Sequence, residues 1–139
     1  MTSLLAAALR YAELGYRVFP CAQGRKTPLT RAGFQDGTTD SASITQWWQQ
    51  WPHANVAIAT EGLLVVDVDG TDNPWLAEEP ERLLELAQGA VAVTPRGGHH
   101  YVFGLPEGMT VRSQVGKVAP KVDIRAHGAY ILVAPSVIV

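Results

Sequence analysis

An apolar, β-branched run bounded by glycines, Gly62-Leu63-Leu64-Val65-Val66-Asp67-Val68-Asp69-Gly70, closes on two aspartates. Such a run predicts a buried central strand. Side chains alternate along a strand, so Asp67 and Asp69 share a face. Like charges held side by side on a sheet repel, and a cation between them relieves the repulsion. Their hard carboxylate oxygens suit Mg²⁺ or Mn²⁺. The same residues also read as a strand end fraying into the polar turn Asp69-Gly70-Thr71-Asp72. The pair by itself leaves both readings open.

The 139 residues, 47% hydrophobic with a mean hydropathy of +0.04, predict one globular domain over residues 1–139. No apolar run reaches the length of a membrane span, and Met1-Thr2-Ser3-Leu4 lacks the basic region of an export signal. Cys21 is the sole cysteine, which excludes a disulfide framework and a cysteine-rich zinc site. A cytoplasmic location with no membrane partner is expected. Charge is unevenly spread. Residues 17–31 carry Arg17, Arg25, Lys26 and Arg31 and no acid, whereas residues 61–85 carry eight acids against Arg82 alone. Residues 96–127 are basic again. An acidic centre between basic flanks suits a metal site that also holds polyphosphate, and it suits solvated surface faces as well.

In chain order, residues 3–14 predict a helix capped by Ser3 and stopped at Gly15. Arg17 to Pro20 predicts a short strand. The long loop from Cys21 to Asp40 contains Gly24-Arg25-Lys26-Thr27-Pro28, which lacks P-loop spacing but offers Lys26 as a phosphate contact. Asp40 or Ser41 caps a second helix through Trp51, with Trp47 and Trp51 expected as its core anchors. Asn55 to Ala59 predicts a strand, and 73–88 an acidic helix broken at Pro80. Ala90 to Val93 and His99 to Phe103 predict a hairpin around Thr94-Pro95-Arg96-Gly97-Gly98. Parity puts His99, Tyr101 and Phe103 on a core face, and His100 with Gly98 on an open one. Residues 104–120 read as irregular. Lys121 to Arg125 predicts a strand with Asp123 and Arg125 on one face, turned back by Ala126-His127-Gly128 into Ala129 to Ala134.

Three strand-borne elements thus converge: Asp67 with Asp69, His100 beside a Gly-Gly turn, and Asp123 with Arg125. Three carboxylates can hold two divalent ions that activate an attacking oxygen and neutralise a triphosphate. His100, Arg96 and Arg125 are suitable donors to phosphate oxygens, and the amides of Gly97 and Gly98 can add to them. The implied chemistry is in-line nucleotidyl transfer.

These residues resemble the bifunctional primase–polymerase domain of plasmid, phage and mobile-element replication proteins, in the archaeo-eukaryotic primase superfamily. The likeness runs from the first helix to Ser136. A hydrophobic strand ending in Asp-x-Asp matches Val65 to Asp69. A small-x-His motif after a Gly-rich turn matches Thr94 to Phe103, and an acid within a hydrophobic strand matches Val122 to Arg125. Lys26-Thr27-Pro28-Leu29, Gly33 to Asp40, the Trp47/Trp48 helix, Asn55 to Ile58 and Ala134-Pro135-Ser136 are similar as well. The resemblance implies an α/β (α+β) fold: an RRM-like catalytic sheet flanked by helices, with an N-terminal αβ unit. It implies Mg²⁺ or Mn²⁺ at Asp67, Asp69 and Asp123, and His100 on the phosphates of the incoming nucleotide. Expected partners are nucleoside triphosphates, a single-stranded DNA template or primer, and a helicase domain or protein. The chain departs from relatives at Gly98, where some carry Ser, and at Val139, where relatives continue; a C-terminally shortened domain or a fragment is expected.

Two rival readings use the same residues. Leu64 to Thr71 also resembles the first motif of haloacid-dehalogenase-type phosphatases, with Asp67 as nucleophile and Asp69 as general acid/base. That family needs a downstream acidic pair, and Asp123 has no acidic neighbour. The other rival is a replication domain that binds nucleotide or nucleic acid without turnover. A transition-metal site at His99 and His100 is disfavoured, because adjacent strand residues point oppositely.

Overall fold

The computed structural model describes residues 3–70, 72–94 and 97–139. Its helices are α1 (Leu4–Glu13), α2 (Ser41–Gln50), α3 (Pro74–Glu78) and α4 (Pro80–Leu86). Its strands are β1 (Val18–Cys21), β2 (Asn55–Ala59), β3 (Leu63–Val68), β4 (Ala90–Val93), β5 (His99–Gly104), β6 (Gln114–Ala119), β7 (Val122–Arg125) and β8 (Tyr130–Leu132). They form a mixed α+β structure with two antiparallel sheets, divided into two compact units: Met1–Ala59 with Tyr130–Val139, and Thr60–Ala129. Among the described residues no helix is long and apolar enough to cross a membrane.

The first unit carries the sheet β1-β2-β8, with β2 buried along its whole length. Ser3 Oγ accepts from the Ala6 amide and so caps α1. Asp40 caps α2, accepting from the Ser43 amide and, at 2.6 Å, from the Ser43 hydroxyl. The Ser43 hydroxyl bond, seconded by the amide, holds the Asp40 carboxyl below its usual pKa. Phe19, Cys21, Ala57 and Leu132 form one buried cluster of this unit. The tryptophan anchoring α2 is Trp48, 3% exposed, whose indole N–H donates to the Ala54 carbonyl at 3.1 Å. Trp47 only packs on the edge of the core and Trp51 is half-buried, so the expectation for that pair is corrected. Helical spacing defines a face but not which face turns inward. Asn55 donates to the carbonyls of Arg25 and Val137, and the Ser136 hydroxyl bridges the Val56 backbone. The Asn55 and Ala-Pro-Ser segments are therefore tied together.

The second unit is the sheet β4-β5-β3-β7-β6 with β3 at its centre. From β3 the chain crosses over α3 and α4 to β4, and β5 fills the gap between them, a split β-α-β arrangement. The order β4-β5-β3-β7 is that of an RRM-like sheet, but between β5 and β7 the chain adds β6 instead of a second helix. Pro80 divides the acidic helix as its sequence predicts. One face of the sheet packs Val66, Val68, Tyr101 and Val122 against Trp75, Leu76 and Leu86 of the helices. Burying a valine side chain fully contributes about 1.5–3 kcal/mol, so this face fixes the register.

Two expectations fail in this region. Residues 114–119 form β6, where an irregular segment was expected; its pairing with β7 shifts register between Val115 and Ala119, which hides the strand's alternation. The chain after Gly128 does not return along β7. Instead β8 joins β2 in the sheet of the first unit.

Candidate active site

The second face of the β3 sheet carries a polar row. Asp67 on β3 stands directly opposite His100 on β5 and Asp123 on β7. Residues opposite one another across strands point to the same side, so three polar side chains lie in line over three strands. All three are buried, with exposures of 9%, 7% and 8% in that order. His100 lies on the face that parity predicts, but it is covered there rather than open. Parity decides a direction and says nothing of what lies above it.

Asp123 is held at both oxygens. Its Oδ1 accepts from the Gly116 amide at 2.9 Å, and its Oδ2 from Arg125 Nη2 at 3.1 Å. Arg125 Nε also lies 3.8 Å from Asp67 Oδ2. The cation that two facing carboxylates call for is thus, here, a guanidinium. Asp67 Oδ1 is different: it is buried and has no hydrogen-bond partner among the described residues. His100 Nε2 lies 3.5 Å away, too long for a hydrogen bond. An orphaned buried acceptor costs about 1–3 kcal/mol and marks a place where a donor or cation belongs.

Asp69 lies one residue beyond β3, exposed, its amide donating to the Lys121 carbonyl at 2.9 Å. Asn73 ties this end down, its Nδ2 lying 3.3 Å from the Pro120 carbonyl and 3.5 Å from that of Asp69. Among the described residues no three His, Cys, Asp or Glu side chains form a group that could hold a metal ion. The observed cluster is therefore the pair Asp67 and Asp123 with Arg125 and His100 around it, and Asp69 stands at its margin. Carboxylate oxygens are hard ligands of the kind Mg²⁺ or Mn²⁺ takes, and Asp67 and Asp123 are the residues that would hold such an ion, Asp67 Oδ1 having no hydrogen-bond partner among the described residues.

The glycines of the hairpin serve the backbone. The Gly97 amide donates to the Thr94 carbonyl at 2.9 Å, and the Thr94 amide to the Gly98 carbonyl at 2.8 Å. A Cβ on Gly98 would fall 2.5 Å from the Val68 carbonyl oxygen, so the missing side chain lets β5 approach β3. Arg96 lies outside the described residues. Lys26 belongs to the first unit, exposed, with its carbonyl accepting from the Tyr130 hydroxyl at 2.8 Å. Gly116 and Asn73 are the positions that sequence reasoning missed. For the first, the sequence signal is a glycine within a stretch that reads as irregular; in the structure its φ is +65°.

No curated protein is similar enough to the chain to count as a match. The family model described as bifunctional DNA primase/polymerase, N-terminal, matches residues 8–139, a span holding Asp67, Asp69, His100, Asp123 and Arg125. The chain belongs to the bifunctional DNA primase/polymerase N-terminal family.

Proposed function

We propose that this chain catalyses template-directed nucleotidyl transfer, making or extending primers from nucleoside triphosphates on single-stranded DNA. Family membership supports a primase/polymerase-type activity. The observation that supports the finer reading is the buried Asp67 Oδ1, without a hydrogen-bond partner among the described residues, on a residue directly opposite Asp123. Asp67 and Asp123, with Asp69 at the margin, would hold Mg²⁺ or Mn²⁺. When bound, these ions acidify the attacking hydroxyl and neutralise the triphosphate. His100 Nε2 would donate to a phosphate oxygen, and Arg96 and Arg125 would add charge for the leaving pyrophosphate. Burial of Asp67, His100 and Asp123 would strengthen their contacts by excluding water. In the reaction the 3′-oxygen bonds to the α-phosphorus as the bond to pyrophosphate breaks, and the hydroxyl proton passes to water.

The phosphatase reading asks for a pair of acids on a neighbouring strand. The residues opposite Asp67 are instead His100 and Asp123, a single acid. Incubating the protein with single-stranded DNA, labelled nucleoside triphosphates and Mn²⁺ tests the proposal, with template-dependent products expected. Turnover of a chromogenic phosphomonoester, blocked by beryllofluoride and without any such products, would overturn it.

A further inference from the structure

Asp67 and Asp123 face one another in register, and a like-charged pair so placed destabilises a sheet. Arg125 follows Asp123 by two residues on the same strand and stands opposite Val65, on the face that carries Asp67. It reaches Asp123 Oδ2 at 3.1 Å and comes within 3.8 Å of Asp67 Oδ2. It balances charge without completing coordination: Asp67 Oδ1 is buried and still lacks a hydrogen-bond partner among the described residues. The Asp123 carboxylate does not depend on Arg125 for its orientation, because the Gly116 amide pins its other oxygen at 2.9 Å. The Arg125 side chain is 34% exposed, so it has a route out toward solvent.

We infer that Arg125 is the resident counter-ion of the Asp67–Asp123 pair, yields that place to a divalent cation, and is thereby released to hold an anionic phosphate. This inference rests on the proposed metal-dependent reading of the site. With its guanidinium 3.1 Å from one carboxylate and 3.8 Å from the other, Arg125 repels a divalent ion brought to the same oxygens, and the ion in turn weakens their hold on Arg125. Exchange, not addition, is therefore the mode of entry. Arg125 steadies the sheet before loading, and afterwards its charge stands beside the ions where a triphosphate must lie. No bond is made or broken in the step.

Mn²⁺ binding, followed by the paramagnetic signal of the free ion, and melting in EDTA test the inference without recourse to activity. Arg125→Ala and Arg125→Gln should melt below wild type in EDTA yet bind Mn²⁺ about 10-fold more tightly, the lower end of what one nearby charge does to an ionic equilibrium. Arg125→Lys, which keeps the cation, should stay close to wild type in both. With Mn²⁺ saturating, Arg125→Gln should bind nucleoside triphosphate about 10-fold more weakly, the loss of one charge-assisted hydrogen bond. If Arg125→Ala fails to fold, the Gln and Lys variants give the same comparison. Equal or weaker Mn²⁺ binding by Arg125→Gln, with wild type still binding in an Asp67-dependent way, overturns the exchange alone. Mn²⁺ binding that is absent, or the same in Asp67→Asn as in wild type, overturns the metal site itself and the exchange with it.

Discussion

His100 and Asp67 face each other across β5 and β3, with Nε2 of one 3.5 Å from Oδ1 of the other. The imidazole is buried, so His100→Ala should have two effects. Triphosphate binding should weaken by about 1.5–3 kcal/mol, roughly 10- to 100-fold, the worth of a hydrogen bond to a charged group. Stability should fall as well, by about 1–3 kcal/mol, because a buried side chain is lost beside a carboxylate. His99, half-buried with its ring 6.0 Å from that of Tyr101, should lose some stability on change to Ala and keep nucleotide affinity. Thermal melts and nucleotide titrations of both variants decide this. Loss of binding in His99→Ala with retention in His100→Ala would contradict the observed register.

Gly98→Ala tests whether the second motif's glycine is structural. Its new Cβ would sit 2.5 Å from a main-chain oxygen of β3, which cannot move without shifting the strand that carries Asp67. A loss of about 1–3 kcal/mol is expected from such overpacking, read as a lowered denaturant midpoint. A variant with unchanged stability and weakened triphosphate binding would instead restore a direct role for this position at the phosphate.

Cys21 has no solvent exposure, and burial pushes its thiol from the ordinary 9.0 up to about 12. The folded value lies above the unfolded one, so this group's contribution to stability is complete below the unfolded pKa. It is lost as pH rises from about 9 toward 12. At pH 8 a thiol-specific disulfide reagent should therefore react negligibly with the native protein and stoichiometrically after denaturation. Rapid native labelling would show that β1 is not packed as described.

Where a signal is local, the residues state the structure. Asp40 four residues ahead of Ile44 announces α2, and Pro80 sets the break between α3 and α4. Strand parity sets His100 on the face opposite Tyr101 and Phe103, and Asp123 on that of Arg125, but that Asp67, His100 and Asp123 share one face needs the register of β3 with β5 and β7. What the sequence hides is tertiary. Trp48 rather than Trp47 or Trp51 turns inward because of what packs against α2, and no spacing encodes that. The β6 strand is masked by the irregularity between Val115 and Ala119, and with it goes the Gly116 amide that holds Asp123. The chain after Gly128 leaves for the sheet of β2, a long-range pairing that a tight turn in the sequence resembles but does not make. The role of Arg125 as cation between the two carboxylates needs the β3–β7 register before it can be seen.

The account stands on Asp67 and Asp123 acting together, and primer synthesis by charge-removing variants tests that most directly. Asp67→Asn and Asp123→Asn keep side-chain volume, so both should remain folded by circular dichroism and melting. In Mn²⁺ with single-stranded DNA and nucleoside triphosphates, wild type should yield template-dependent products. Each variant should fall by at least about 100-fold, the scale for removing one charge-stabilising group from a transition state. The double variant should be little worse than either single, because the two carboxylates work as a unit. Folded single variants that synthesise primer at the wild-type rate would contradict the account.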